Sequence, residues 1–240
     1  MKRASGQGTA SRRGFLRGAL TTAGAACAFP YVVPASALGR DGAVAPSNRL
    51  VMGAIGVGGR GHHDLKWLAG EADVQIVAVC DVRRERRDLG KAVVDEKYGN
   101  RDCATFRDFR DLLEKKQELD AVLIAIGDRW HAVASIFCMR AGKDVYSEKP
   151  GTLTIAEGQA LVKAQSQYER VFQTGAQRAS ESNFVFMGEA LRQGRLGKVH
   201  TVRAHLGYLT KWPRMNAVLS AEPLPPKEEL DWDLWLGQSP

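Results

Sequence analysis

The 240-residue sequence has only four cysteines and no long apolar run. The cysteines have no paired spacing, which argues against a disulfide framework and against a metal site. Cys80 and Cys138 follow apolar patterns and are predicted to be small core residues. Residues 18–33 form an apolar stretch that is short and interrupted by Pro30, so no permanent membrane span is expected.

The sequence also lacks a basic stripe with interleaved aromatic residues, which argues against nucleic acid as a partner. Its formal charge of +7 comes mostly from the first 37 residues, which contain five basic residues and no acidic one. The remainder has 29 basic and 27 acidic residues. With 44% hydrophobic and 25% charged residues, the composition is ordinary for a soluble globular protein.

The basic start of the chain has the order of features expected of an export signal. The segment from Ser11 to Arg17, Ser-Arg-Arg-Gly-Phe-Leu-Arg, resembles the twin-arginine motif, and an A-x-A cleavage site follows at residues 35–37. These features predict a signal peptide over residues 1–37, a linker over 38–48 and a periplasmic or otherwise exported protein that uses the twin-arginine machinery. Because that route transports folded proteins, it suits a protein that binds its cofactor before export. The alternative interpretation is a disordered basic tail.

A glycine-rich turn follows the apolar run at residues 50–55. The pattern Gly56-x-Gly58-x-x-Gly61, followed by a helical segment, is typical of a dinucleotide-binding strand-to-helix turn. Gly56 permits the tight turn, Gly58 lets the backbone approach a pyrophosphate, and Gly61 lets helix and strand pack closely. Gly59 and Arg60 lie within the same turn and are counted as cofactor-binding candidates.

A second β-branched run, Val74–Cys80, ends at Asp81, which lies 20 positions after Gly61. An acidic residue at that distance is suited to accept hydrogen bonds from the ribose hydroxyls of adenosine. Its structural alternative is a helix N-cap. The negative charge of Asp81 favours NAD, while Arg83 and Arg84 leave NADP open.

Segments typical of strands and helices alternate through the chain beyond residue 49. The alternation predicts an α/β fold with a doubly wound parallel sheet, a Rossmann domain over residues 49–170. A second domain is predicted over residues 171–240, beginning with a short strand and including a longer one at 198–206. Apolar residues at helical spacings that are predicted to lie in the core are Trp67, Trp130 and Met139.

Polar clusters follow the next two strands of this predicted sheet. They are Asp128-Arg-Trp-His131 and Glu148-Lys149-Pro150. The ends of these strands are expected near the nicotinamide and the substrate. A lysine between an acid and a proline can donate a proton or hold an alkoxide, and the proline can fix a cis turn that directs it inward. The structural alternatives are a surface role for Lys149 and a helix-starting role for His131.

With these motifs the sequence resembles the Gfo/Idh/MocA oxidoreductases over about residues 48–240. The resemblance rests on the glycine turn and on three further segments, at residues 142–150, 172–178 and 194–200. It implies a Rossmann domain followed by an α/β domain with an open sheet, and a homo-oligomer for a full-length chain. It also implies hydride transfer between NAD or NADP and a sugar or polyol-like substrate.

The resemblance further implies roles for single residues. Lys149 matches the family's active-site lysine and His131 a histidine near the cofactor, so both are candidate catalytic residues. Positions that match the cofactor side of the site are Glu148, Gln177 and Arg178. For Arg178, a purely structural salt bridge stays open as an alternative.

The sequence departs from the family pattern at three places and in length. Ile126-Gly127 replaces the usual Thr-Pro, Gly151 replaces an aliphatic residue, and Ala179 replaces a second arginine. The chain stops at Pro240, soon after the predicted second domain begins, so we expect a fragment or a truncated gene product. Two other functions stay open: glycoside cleavage with a tightly held NAD, and a non-catalytic nucleotide-binding remnant.

Overall fold

The computed structural model of the protein describes residues 34–40, 44–205 and 223–239. Nearly all of the predicted signal peptide therefore lies outside the described residues. The chain divides into two units, residues 1–48 and 49–240. The described part of the first unit contains two 3-10 turns, Ala35–Leu38 and Pro46–Asn48. All further structure belongs to the second unit.

Six strands form one parallel sheet in the second unit. Strands β1 to β6 are Leu50–Ile55, Val74–Cys80, Ala104–Phe106, Ala121–Ile124, Asp144–Glu148 and Phe172–Gly175. Their order across the sheet is β3-β2-β1-β4-β5-β6, and every neighbouring pair is parallel. This is the strand order of a doubly wound dinucleotide-binding sheet. The predicted fold class is confirmed.

Helices cover the sheet and follow its strands in alternation. Helices α1 to α7 are Gly59–Gly70, Arg84–Tyr98, Phe109–Lys115, His131–Arg140, Ile155–Tyr168, Ser182–Arg192 and Trp232–Leu236. The start of helix α5 is locally encoded: Thr154 and Glu157 form a reciprocal capping box. Within the described ranges, no helix has both the length and the apolar character needed to cross a bilayer.

Two apolar clusters lie on opposite faces of the sheet. Every residue of β4 is buried, as expected for a parallel strand covered on both faces. Met139, Cys80 and Cys138 are fully buried in this core, which confirms those predictions. Trp130 is half-buried. The prediction for Trp67 is wrong: its side chain is exposed and its ring lies against the Arg60 guanidinium, 4.7 Å from the ring centroid.

The sheet continues past the predicted domain boundary. Strand β6 pairs with β5, so the boundary placed between residues 170 and 171 comes one strand too early. The strand predicted at 198–206 is absent over residues 198–205, and Leu206 lies outside the described residues. A strand requires a hydrogen-bonded neighbour, and none of the six described strands of the sheet runs beside this segment. Its apolar side chains, Val199 and Val202, are exposed instead.

Candidate functional site

The glycine turn between β1 and α1 is sterically restricted to glycine at two positions. Gly56 has a φ of 81°, and a Cβ there would collide with the carbonyl oxygen of Ala125. A Cβ on Gly61 would collide with the carbonyl oxygen of Gly56. These contacts match the predicted roles of a tight turn and of close helix-to-strand packing.

The other two glycines leave space at the start of α1. A Cβ on Gly59 would meet no heavy atom within 4 Å, and Gly59 has a φ of 46°. A Cβ on Gly58 would lie 3.3 Å from Cδ of Arg86. The first N–H groups of α1 point toward this space and have no partner within the helix. The turn therefore fits a pyrophosphate, which needs N–H donors and a backbone without side chains that would block its approach.

Asp81 lies at the end of β2, beside this turn. Its Oδ2 accepts a hydrogen bond from the Val57 amide at 3.0 Å, and its Oδ1 accepts one from the Arg83 amide at 2.9 Å. Burial raises the pKa of Asp81, and these two hydrogen bonds oppose that effect. A carboxylate oxygen has two lone pairs, so each still has one acceptor site for a ribose hydroxyl. The N-cap alternative is wrong, since the N-cap residue of α2 is Arg83.

A cavity of about 260 Å³ opens at the carboxyl ends of β1, β2 and β4. Its walls include the glycine turn, Asp81 and four arginines, of which Arg83 and Arg86 come from the loop and helix that follow Asp81. Arg84, the other arginine considered for NADP, donates instead from its Nε to the Glu228 carbonyl at 3.1 Å. Sequence reasoning missed Arg86, whose position one turn into α2 gives no signal of its contact with Gly58.

Glu148 is the centre of a buried polar cluster at the end of β5. Its Oε1 lies 3.3 Å from Nε of Arg60 and accepts a hydrogen bond from the side-chain amide of Gln177. A Cβ on Gly175 would lie only 2.9 Å from this oxygen, so a larger residue there would displace the Glu148 carboxylate. Three of the predicted cofactor-side residues, Arg60, Glu148 and Gln177, are thus brought together although they come from separate parts of the chain.

Asp64 completes the cluster and was not predicted. Its Oδ1 lies 2.8 Å from a terminal guanidinium nitrogen of Arg60, one helical turn earlier on α1. Burial raises the pKa of Asp64 to about 6; the Arg60 charge lowers it and the nearby Glu148 carboxylate raises it. The i,i+4 spacing of Arg60 and Asp64 is a signal that could have identified the pair from sequence.

His131 is fully buried at the start of α4, and both of its ring nitrogens face backbone carbonyls. Nδ1 lies 2.6 Å from the Glu148 carbonyl oxygen, and Nε2 lies 2.9 Å from that of Ile126. The ring therefore joins the loops that follow β4 and β5. This geometry is that of a positioning residue, since neither nitrogen faces open space; it favours the structural alternative over the predicted catalytic role.

Lys149 is exposed, and its amide donates to Oε2 of Glu148 at 3.2 Å. Among the described residues its ammonium group has no ion-pair or hydrogen-bond partner. The Lys149–Pro150 peptide bond is cis, as expected. Arg178 lies apart from the cluster, exposed and paired with Glu181 at 2.8 Å, which is the structural alternative left open for it. The described residues contain no group of three or more potential metal ligands.

The strand order, the glycine turn and the carboxylate at the end of β2 define a dinucleotide-binding α/β domain. The sequence profile of the Gfo/Idh/MocA family, described as an oxidoreductase family with an NAD-binding Rossmann fold, matches residues 50–176. That is more than half of the chain, and the protein belongs to this family.

Individual relatives match over the same region. Myo-inositol 2-dehydrogenase of Thermotoga maritima is 29% identical over 153 residues, which are 63% of this chain and 43% of the relative. Glycosyl hydrolase family 109 protein 1 of a Shewanella species is 31% identical over 137 residues, 55% of this chain and 30% of that protein. The chain thus spans less than half the length of these curated relatives.

A solved structure has the same fold. The scyllo-inositol dehydrogenase of Lactobacillus casei, whose crystal structure contains NAD(H) and scyllo-inositol, superimposes with a TM-score of 0.57 at 24% identity. The match covers 62% of this chain and 43% of the other. At this identity the similarity concerns the fold.

Proposed function

We propose that the protein is an NAD-dependent oxidoreductase that transfers hydride between the nicotinamide cofactor and a hydroxyl-bearing carbon of a sugar or polyol. The observation that supports this most is the contact between Arg60 and Glu148. Arg60 belongs to the glycine turn, where a pyrophosphate fits, and Glu148 precedes Lys149 at the end of β5. The contact therefore links the phosphate end of the site to the end where the reaction would occur.

The fit of the residues to a dinucleotide supports the same conclusion. Gly58, Gly59 and the first amides of α1 would hold the pyrophosphate, and Asp81 the adenosine ribose. Glu148, held by Arg60 and Gln177, would face the nicotinamide ribose. When bound, nicotinamide supplies the hydride acceptor or donor.

Lys149 is the residue we assign to the substrate oxygen. Its exposed ammonium group can donate a proton to that oxygen or stabilise a developing alkoxide. The neighbouring buried Glu148 accepts a hydrogen bond from the Lys149 backbone amide. His131 fixes the backbone of this loop through the Glu148 carbonyl, so its contribution is to position Lys149.

The carboxylate of Asp81 favours NAD over NADP. A 2′-phosphate at the ribose would bring negative charge next to a partly buried acid, which is unfavourable. Arg83 and Arg86, which line the same cavity, offset part of this repulsion. We therefore expect NAD as the preferred cofactor, with measurable binding of NADP.

Hydride transfer is tested by following absorbance at 340 nm with NAD and a panel of inositols, glucose and glucuronic acid. Lys149→Ala should lower turnover about 10²- to 10⁴-fold, the range for loss of a positioned proton donor, while NAD affinity changes little. Lys163→Ala, at an exposed lysine on α5, is the matched control. Turnover that persists in Lys149→Ala would reject the assigned role. Absence of NAD binding in calorimetry would reject the function, whereas NAD binding without turnover of any substrate would favour a non-catalytic nucleotide-binding remnant.

A second candidate is glycoside cleavage by oxidation, elimination and reduction with retained NAD. The similarity to a glycosyl hydrolase family 109 protein favours it. Release of an aglycone from a chromogenic glycoside without accumulation of NADH would support this reaction. Stoichiometric NADH formation with a free polyol would exclude it.

We further infer export through the twin-arginine pathway, directed by residues 1–37, to the periplasm. The support is the basic, acid-free start of the chain with Arg12-Arg13 ahead of an A-x-A site. Replacing both arginines by lysine keeps the charge and should retain the protein in the cytoplasm. Equal amounts of both forms in the periplasmic fraction would contradict this inference.

A further inference from the structure

The segment from Lys227 to Gly237 lies against the cofactor cavity although it is far from it in sequence. Its backbone joins the loop that follows β2, where Leu230 forms an antiparallel bridge with Arg83. The Arg84 amide donates to the Glu229 carbonyl at 2.8 Å, and the Asp231 amide donates to the Val82 carbonyl at 3.1 Å. The backbone of residues 229–231 therefore pairs with the backbone of residues 82–84, in the loop that begins at Asp81.

Asp231 anchors this segment by its side chain. The carboxylate is buried and accepts a hydrogen bond from the Leu234 amide at 3.2 Å, which starts helix α7. Its Oδ2 lies 3.6 Å from Nε of Arg107 and 3.6 Å from Nζ of Lys227. Because Arg107 also lines the cavity, the anchor ties the segment to the cavity wall.

The other end of the segment joins the loop that follows β4. The Trp130 indole donates to the Leu234 carbonyl at 3.0 Å, and Nε of Arg129 donates to the carbonyls of Trp235 and Leu236 at 3.0 and 2.9 Å. The Arg129 guanidinium lies 4.0 Å from the centroid of the Trp235 ring. Gly237 has a φ of 59°, and a Cβ there would collide with the Trp130 ring, so only glycine allows this approach.

The segment thus spans the two loops on either side of the cavity and closes its outer side. Leu230, Leu234 and Trp235 contribute apolar surface to the cavity that Asp81 also lines. The enclosed volume of about 260 Å³ is slightly below the range of roughly 300–1,000 Å³ for whole-ligand pockets. A cavity of this size suits one end of a dinucleotide. Because it lies beside Asp81, the end that it would hold is the adenosine.

We propose that residues 227–237 form the outer wall of the adenosine site, with the Arg129 guanidinium as the surface against which the adenine ring packs. Trp235 holds that guanidinium in place, since one face of its ring lies against Arg129 and the other stacks on Trp232 at 4.8 Å. A flat π system suits this surface, since bases stack favourably on aromatic rings and guanidinium groups. The proposal rests on the proposed function only in assuming that the cavity receives a nicotinamide dinucleotide.

Calorimetry of the full 240-residue chain with NAD, AMP and nicotinamide mononucleotide tests the wall. Trp235→Ala removes the ring that holds Arg129 and should weaken NAD and AMP binding by the same factor, about 2- to 30-fold, the range for loss of a cation–π contact. Nicotinamide mononucleotide should bind with unchanged affinity because it lacks adenosine. Trp235→Phe should restore most of the affinity for AMP. Phe186→Ala, at an exposed aromatic residue on α6, is the control.

Unchanged AMP affinity in Trp235→Ala would overturn the proposal, as would equal losses of AMP and nicotinamide mononucleotide. A wild-type chain that binds neither NAD nor AMP would instead reject the proposed function, and this wall with it. A wild-type chain that binds both, with a variant that binds both equally well, would reject the wall alone.

Discussion

Nδ1 of His131 lies 2.6 Å from the carbonyl oxygen of Glu148 and fixes the backbone immediately before Lys149. The opposite ring nitrogen lies 2.9 Å from the Ile126 carbonyl oxygen, so one buried ring contacts two adjacent loops at this edge of the sheet. The histidine identified from sequence therefore affects the site through the backbone of its neighbours.

His131→Ala should lower the free energy of unfolding by about 1–3 kcal/mol, because it leaves a buried carbonyl oxygen without its hydrogen-bond donor. Urea unfolding followed by circular dichroism measures the change. His63→Ala, at an exposed histidine on α1, should change stability by less than about 0.5 kcal/mol. Equal stability of the two variants would show that the His131 contacts contribute little.

Stability should decrease as the pH rises from about 4 to about 6 because of Asp64. Its pKa is raised to about 6 in the folded protein, chiefly by burial, so the folded state retains a proton that the unfolded chain releases. The stabilisation is complete below the unfolded pKa and is lost as the pH rises through the folded value. The groups that face Asp64 are Arg60, which opposes the shift, and Glu148, which increases it.

The expected loss is on the order of 1–3 kcal/mol, since each unit of pKa shift corresponds to about 1.4 kcal/mol. Asp64→Asn should flatten this part of the stability profile, whereas Asp88→Asn, at an exposed acid on α2, should leave it unchanged. Urea midpoints measured at pH 4, 5, 6 and 7 give the comparison. If Asp64→Asn leaves the pH dependence of the urea midpoint unchanged, that dependence comes from other groups.

Gly61→Ala should remove NAD binding and destabilise the domain, because the added Cβ would collide with the Gly56 carbonyl oxygen. The matched control is Gly70→Ala at the other end of α1, where a Cβ meets no heavy atom within 4 Å. That change should stabilise the protein by about 0.4–1 kcal/mol through the unfolded state. Retained NAD affinity in Gly61→Ala would mean that the turn can open without loss of the phosphate site.

Much of the fold follows from local sequence signals. The bounds of β2 were predicted because its apolar residues are continuous, and the start of α5 is encoded locally by the capping box of Thr154 and Glu157. Strand β3 has only three residues and shows no pattern of its own. The strand expected at 198–206 had a favourable pattern over its length, but a pattern cannot supply the neighbouring strand that it needs.

The site was predictable where a motif fixes it and unpredictable where tertiary contacts build it. Arg60, Glu148 and Gln177 follow from motifs, although their mutual contacts do not. The prediction for Trp67 was wrong because helical spacing alone does not say which face of the helix is buried. Trp67 lies two positions after the buried Leu65 and therefore on another face of α1. The contact of Trp130 with Leu234 joins residues 104 positions apart, and local sequence carries no signal for such a distance.

The buried cysteines have a chemical consequence. Burial raises the pKa of the Cys80 thiol, that of Cys103 to about 11, and that of Cys138 well above its usual value. Little thiolate is therefore present at neutral pH, and thiolate is the form that oxidants and alkylating reagents attack. All three groups become reactive only when the chain opens around them. Their rate of alkylation thus reports on opening of the sheet and its covering helices without any added label.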